Sequence, residues 1–184
     1  ALERELVPKA IGAKLAVSFR GYDIFVYPFK HPQCYDLLWK QVDQVHTLSN
    51  ALLRRAFELG LNTKTPYVII PPAVKEKLIN TKPNFKVHNE VISIITVARL
   101  HYIKGISTLL DTASILKNKG FAFQWKIIGQ GSPQEEERYL YQRYQYGLEE
   151  EVIFLGKKDH ATTLSFCSKA DLYVQPSLSE GFCN

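Results

Sequence analysis

Hydrophobic and polar positions in the second half of the chain alternate between two periods. Val91 to Ala98 (Val-Ile-Ser-Ile-Ile-Thr-Val-Ala) is a nearly unbroken β-branched run. Apolar on both faces, it predicts a strand in the middle of a parallel sheet. Ile106, Leu109, Leu110, Ala113 and Leu116 follow at helical spacing, and Gly120 ends the run. Gln124 to Ile128 reads as a second strand, stopped by Gly129. A helix is predicted from about Gln134, with Glu135, Glu136 and Glu137 in its first turn, where the helix dipole favours negative charge. Val152 to Leu155 is a third strand. Asp159 is placed to cap a helix over 160–168, and Asp171 to Gln175 is a fourth strand. Strand and helix thus alternate four times, at lengths that suit βαβ crossovers.

The first half repeats the pattern more briefly. Ala13 to Phe19 reads as a strand, Tyr35 to Gln41 as a short helix and Gln44 to Leu48 as a strand. Ser49 caps a helix running through Leu52, Leu53, Ala56 and Phe57 to Gly60, and Tyr67 to Ile70 is a last strand. Between the halves, residues 73–90 hold Pro83, lysines and asparagines without a period, which predicts a linker. Two α/β units, 1–72 and 91–184, suggest a cleft between them. In such folds ligands sit beyond the carboxyl ends of the strands.

Composition narrows the function without naming it. The 184 residues are 46% hydrophobic and 22% charged, an ordinary globular balance that excludes global disorder. The net charge of +5 is mild and dispersed; it suits an anionic ligand or a membrane surface without requiring nucleic acid. Cys34, Cys167 and Cys183 share no close spacing, so neither a zinc site nor a disulfide framework follows, and a reducing compartment is the default. No run of 18 apolar residues predicts a membrane span. Met is absent altogether, and Ser-Leu-Ser-Glu-Gly-Phe-Cys-Asn closes the chain without a helix stop signal. Both features predict an internal piece of a longer protein, inactive as a separate piece.

Candidate chemistry lies after the strands. Arg99 and Lys104-Gly105 follow the first, Gly129-Gln130-Gly131-Ser132 the second, Gly156-Lys157-Lys158 the third and Pro176 to Phe182 the fourth. In a parallel sheet these loops share one edge. Four cations, glycines with free backbone N–H groups and the Glu180 carboxylate would then meet there, a set that fits a phosphate-bearing ligand. Taken singly, each piece also fits a plain role: solvated charges, turn glycines, an acid at a helix start. The Gly129-x-Gly131 pair does not extend to a dinucleotide fingerprint, because its third glycine position is Gln134. Tyr139, Tyr141, Tyr144 and Tyr146 are spaced as a packed and a solvated helix face. The five His are scattered, and no Asp-x-Asp pair occurs.

Val97-Ala98-Arg99-Leu100 with Lys104-Gly105 resembles the "G-R-L … K-G" segment of retaining glycosyltransferases of family 4, with Ala98 in place of the usual Gly. Ile127 to Gly131 resembles that family's second strand and glycine turn, and Val152 to Gly156 its third strand. Ala170 to Ser177 with Ser179-Glu180-Gly181-Phe182 resembles its "A-D-x-x-V-x-P-S … E-G-F" segment. In the first half, Phe19 to Asp23 is similar to the "H-G-x-D" turn, with Arg20 where the family often has His. Val45 to Gly60 is similar to the "V-S-x-x-L … G" helix. Pro72-Ala73-Val74-Lys75 stands in place of the more usual Gly-Val-Asp linker.

The resemblance implies an α/β, GT-B architecture of two Rossmann-like, doubly wound parallel-sheet domains, both incomplete here. Residues 1–72 would end the acceptor-side domain, and 91–184 would begin the donor domain. It implies a metal-independent hexosyltransferase that moves a sugar from a nucleotide-activated donor to a glycan, lipid-linked or small-molecule acceptor with retention of configuration. Glu180, Arg99 and Lys104 would be catalytic. Arg99, Lys104, Gly129, Gly131, Lys157, Glu180, Gly181 and Phe182 would bind the donor, and a second glutamate would fall just past Asn184. No cofactor or metal is expected. The implied partners are a nucleoside-diphosphate sugar and a glycan or lipid-linked acceptor, with no nucleic acid. The implied setting is bacterial polysaccharide biosynthesis in the cytoplasm, with peripheral contact at the inner face of the membrane. A GT-B-shaped sugar-nucleotide epimerase and a non-catalytic nucleotide-binding module are the alternatives; a dehydrogenase is disfavoured by the glycine pattern.

Overall fold

The structure is a computed structural model that describes residues 4–73 and 91–180. These fall into two compact units, 4–73 with Ser179 and Glu180, and 91–178. Gly181, Phe182 and residues 74–90 of the expected linker lie outside the described residues.

In the first unit the order is α1 (Val7–Ala10), β1 (Ala16–Phe19), α2 (Tyr22–Phe25), α3 (Tyr27–Lys30), α4 (Asp36–Gln41), β2 (Gln44–Thr47), α5 (Asn50–Glu58) and β3 (Tyr67–Ile69). The three strands are parallel in the order β1-β2-β3. Val17, Phe19 and Val45 pack with Tyr35, Leu38, Leu52, Leu53 and Ala56 from α4, α5 and the turn before α4. Ser49 caps α5 by accepting from the Leu52 N–H, the role its place before the apolar run predicts. Helices α1, α2 and α3 are four residues each, too short to impose a period on the sequence.

The second unit runs β4 (Ile92–Val97), a 3-10 turn (Tyr102–Lys104), α6 (Ile106–Asn118), β5 (Phe123–Ile128), α7 (Pro133–Gln145), β6 (Val152–Gly156), α8 (His160–Lys169) and β7 (Leu172–Tyr173). All pairings are parallel, in the order β6-β5-β4-β7. Ile106, Leu109, Leu110 and Ala113 are completely buried, so α6 seats the stripe that its sequence spacing predicts. Burying one such Leu or Ile contributes about 1.5–3 kcal/mol. Tyr139 is the inward residue of the tyrosine-rich α7, while Tyr141 and Tyr144 are exposed. Burial, with the Glu135 carboxylate nearby, pushes the Tyr139 phenol up to about 12.

Two strand boundaries differ from expectation for identifiable reasons. The strand expected from Ala13 begins at Ala16, because the Leu15 N–H is taken by the Asp43 carboxylate at 2.7 Å. The strand expected over 171–175 pairs only at Leu172 and Tyr173. The Val174 carbonyl accepts from the Thr96 hydroxyl, and Pro176 has no N–H with which to extend a ladder.

The two sheets share one device. Asp43 accepts from the Leu15 N–H and returns its own N–H to the Leu15 carbonyl at 2.9 Å. Asp171 does the same with Ser93, both bonds being 2.8 Å. Each aspartate precedes a strand and ties it to its neighbour at the amino end. Among the described residues no helix is long and apolar enough to cross a membrane.

Candidate functional site

Because β6, β5, β4 and β7 are parallel, the loops after them lie on one edge of the sheet, and backbone contacts stitch them together in series. The Gly129 N–H donates to the Gly156 carbonyl at 3.0 Å, joining the loops after β5 and β6. The Leu100 N–H donates to the Gln130 carbonyl at 3.1 Å, joining the loops after β4 and β5. The Leu178 N–H donates to the Ile103 carbonyl at 2.8 Å, joining the loops after β7 and β4.

Two glycines make this approach possible. A Cβ on Gly129 (φ +153°) would stand 1.7 Å from the Ala98 carbonyl oxygen, and one on Gly105 (φ +68°) would stand 1.9 Å from the Pro176 carbonyl oxygen. Both sit in backbone regions open to glycine, and both backbones are pressed against a neighbouring loop.

Arg99 is exposed on the loop after β4. Lys104, half-buried, ends the 3-10 turn, whose cap is His101: the ring Nδ1 accepts from the Ile103 N–H at 3.4 Å. An Nδ1 that accepts carries no proton, so the ring proton of neutral His101 is on Nε2. Gly105 then starts α6. Lys157 and Lys158 are exposed after β6. The structure therefore brings Arg99, Lys104, Gly129, Gly131 and Lys157 to one edge of one sheet. Glu180 is half-buried, two residues past Leu178, and is grouped with the first unit.

One expectation fails. The glycine N–H groups are not free: that of Gly129 is bonded to Gly156, and that of Gly131 donates to Glu136 Oε1 at 3.0 Å. Glu136 reaches back over the start of α7 while Ser132 accepts from the Glu135 N–H at 3.3 Å. The turn spends its donors on its own geometry, so it contributes shape to the edge and withholds N–H groups. The Glu135 to Glu137 cluster signals this helix start in the sequence; that Glu136 would take the Gly131 N–H depends on turn geometry.

A buried polar relay, absent from the sequence expectations, lies beneath the edge. Trp125 Nε1 donates to Thr96 Oγ1 at 3.0 Å, and Thr96 Oγ1 donates to the Val174 carbonyl at 2.6 Å. At the far end of α8's loop, Asp159 accepts from the Thr162 hydroxyl at 2.6 Å and its N–H at 2.9 Å. These bonds hold its carboxyl below the usual carboxylate value. In the first unit, the turn after β1 is closed by Asp23, which accepts from the Arg20 and Gly21 N–H groups. Arg20 itself is exposed. Among the described residues no three His, Cys, Asp or Glu side chains stand close enough to hold a metal ion.

Known proteins resemble the chain in both sequence and fold. The family model described as Glycosyl transferases group 1 matches residues 79–184. The putative colanic acid biosynthesis glycosyltransferase WcaL of Escherichia coli is 27% identical over 172 residues, 92% of this chain and 41% of that protein. The amylovoran biosynthesis glycosyltransferase AmsK of Erwinia amylovora is 28% identical over 179 residues, 96% of this chain and 42% of that protein. The chain thus spans about two-fifths of the length of these relatives. Among solved structures, Anabaena HepE in complex with UDP and glucose superposes with a TM-score of 0.72 at 17% identity, covering 94% of this chain and 49% of HepE. A Staphylococcus aureus TarM mutant in complex with UDP gives 0.72 at 17% identity, covering 97% of this chain and 36% of TarM. At such identities the superpositions establish the fold, which is GT-B with parallel α/β sheets. The family match takes in more than half of the chain, and on it the protein belongs to the glycosyl transferases group 1 family.

Proposed function

We propose that this chain carries the donor-binding part, and a portion of the acceptor-side domain, of a transferase that moves a sugar from a nucleoside-diphosphate donor with retention of configuration. The observation that carries the reading is the stitched edge, where Arg99 and Lys104 stand on one loop and Lys157 on another. Cleaving the donor's glycosidic bond builds charge on the departing diphosphate. Fixed cations stabilise that charge where it develops, and removing one such group typically costs about 10²–10³ in rate. Arg99 and Lys104 take this role, so no metal is required; the lack of an Asp-x-Asp pair agrees with this. The Gly129 and Gly131 turn shapes the floor on which the phosphates rest. Lys157 faces the nucleoside side. Glu180, followed by Gly181 and Phe182, accepts hydrogen bonds from the donor sugar's hydroxyls.

The acceptor is a glycan or a lipid-linked sugar. Support comes from the relatives, whose names place them in colanic acid and amylovoran synthesis, and from the UDP and glucose named for HepE. With a lipid-linked acceptor, the enzyme works against the inner face of the cell membrane as a peripheral protein.

Isothermal titration with UDP, GDP and ADP tests the reading. Arg99→Ala and Lys104→Ala should each weaken the preferred nucleotide about tenfold or more, as expected for a lost charge-assisted bond. Lys119→Ala, at the far end of α6, should leave it unchanged. Equal affinities in all four proteins would overturn the assignment.

A further inference from the structure

We propose that the first unit holds a sugar-binding subsite at the amino edge of its sheet, built around Glu5. The subsite takes a neutral carbohydrate ring and makes no use of the donor edge in the second unit.

Three polar residues are buried among the described residues: Glu5, Thr47 and Thr96. Both threonines have partners. Thr47 Oγ1 donates to the Ser49 carbonyl at 3.2 Å, and Thr96 bonds Trp125 and Val174. Glu5, 4% exposed in the turn before α1, makes no hydrogen bond or ion pair among the described residues. A buried carboxylate without a partner is costly, and in a native fold it calls for a group that the protein's own atoms do not supply. Lys9 lies one helical turn on, and Lys40 lies near the end of α4. Neither ammonium comes within 4.0 Å of the carboxylate, so the ion pair that the Glu5 to Lys9 spacing favours is not made.

These groups line one cavity of about 350 Å³, within the range of about 300–1,000 Å³ usual for small-molecule sites. It lies at the amino ends of β1 and β2, where Leu15 and Asp43 precede the strands. Its charges are balanced and kept apart: Glu5 and Asp43 against Lys9 and Lys40. An ammonium ligand would meet the two lysines, and a phosphate would meet the two carboxylates. A carbohydrate satisfies both signs, because each of its hydroxyls donates and accepts. Hydroxyls donate to Glu5 and to the Asp43 oxygen that the Leu15 N–H leaves free, and they accept from Lys9 and Lys40. Pro8 and Leu15 supply apolar surface for the C–H face of the ring.

The experiment titrates the full 184-residue chain with D-glucose, D-galactose, D-mannose and L-fucose, followed by the backbone amide resonances. At least one sugar should bind with a dissociation constant on the order of 1 mM and shift the signals of Lys9, Gly12 and Gln41, which line the cavity. Glu5→Gln keeps the shape and removes the charge; it should weaken that sugar about fivefold or more, and so should Lys40→Ala. Lys64→Ala, exposed and outside the cavity, should leave the affinity unchanged. Without sugar, Glu5→Gln should melt at or above the wild-type temperature, because it relieves an unpaired buried charge. A carboxylate with only a structural role would instead lower the melting temperature and leave the sugar affinity as it was.

The proposal is overturned if none of the sugars binds the wild type, or if Glu5→Gln binds as tightly as the wild type does. Displacement of the sugar by saturating UDP would assign it to the donor edge and overturns the proposal too. So does tighter binding of glycine or putrescine than of any sugar, which would give the cavity to an amine. A wild type that binds a sugar through Glu5 but binds no UDP upholds the subsite and sinks the donor-site reading alone.

Discussion

The carbonyl oxygen of Ala98 occupies the place where a side chain on residue 129 would begin, 1.7 Å from the Cβ that Gly129 lacks. Gly129→Ala must push β4 and β5 apart or bend the turn, and it also holds alanine at a positive φ. Strain and overpacking together predict a loss of about 3–5 kcal/mol. Gly147 is the contrast: it also has a positive φ, but nothing lies within 4 Å of its missing Cβ. Gly147→Ala should cost only about 1 kcal/mol. Thermal melts followed by circular dichroism compare the two; equal losses would refute the close approach.

Asp43 and Asp171 predict a matched pair of effects. Each exchanges two hydrogen bonds with the residue at the amino end of a neighbouring strand. Replacing either by Ala should destabilise its own unit by about 1–2 kcal/mol, since a charged acceptor of main-chain N–H is lost. The sites are in separate sheets and share no partner, so the double variant should show the sum. Urea unfolding of the two single variants and the double checks both the size and the additivity.

The cap at Asp159 predicts a pH dependence. Its folded-state pKa lies below the usual 3.8, because the Thr162 hydroxyl and N–H hydrogen-bond to the ionised form. A depressed folded pKa means that the stabilisation is fully present above the unfolded value and is lost as the pH falls through the folded one. Wild type should therefore melt above Asp159→Ala by a constant margin at pH 5 and higher, and the margin should shrink as the pH drops below 3.8. A margin independent of pH would rule out the carboxylate as the cap.

Glu180→Gln separates a role at the sugar from one at the nucleotide. In the complete protein, turnover of the sugar donor should fall by about 10² or more, the scale typical of a lost polar contact to a reacting group. The dissociation constant for the bare nucleoside diphosphate should hardly move. If nucleotide affinity collapses while turnover per bound donor is retained, the carboxylate belongs to the nucleotide.

Much of the second unit is legible in the sequence because its signals are undiluted. Val91 to Ala98 has no polar face to compete with a buried-strand reading, and the stripe from Ile106 to Leu116 has one period and a clear end. From strand and helix alternation alone, Arg99, Lys104 and Lys157 fall on one edge. What escapes the sequence is what depends on register. The use of the Gly129 N–H turns on where Gly156 stops opposite Ile128, after an irregularity in the β5–β6 ladder. The loss of the Gly131 N–H turns on the reach of Glu136. Thr96 reads as one more β-branched residue in a strand, because nothing local shows that Trp125 and Val174 will flank its hydroxyl. Helices α1 to α3 escape because four residues make one turn, and one turn has no repeat to detect.

The rim of the second sheet is joined by main-chain atoms: Gly156 to Gly129, Gln130 to Leu100, Ile103 to Leu178. None of these links depends on the identity of an exposed side chain. Exposed charge and framework are thereby carried by different residues of the same loops. Substitutions at Arg99, Lys157 or Lys158 change the charge that the rim presents without moving the rim. A lineage carrying this frame can retune that charge by a few surface replacements, while Gly105 and Gly129 beneath them have almost no freedom to vary.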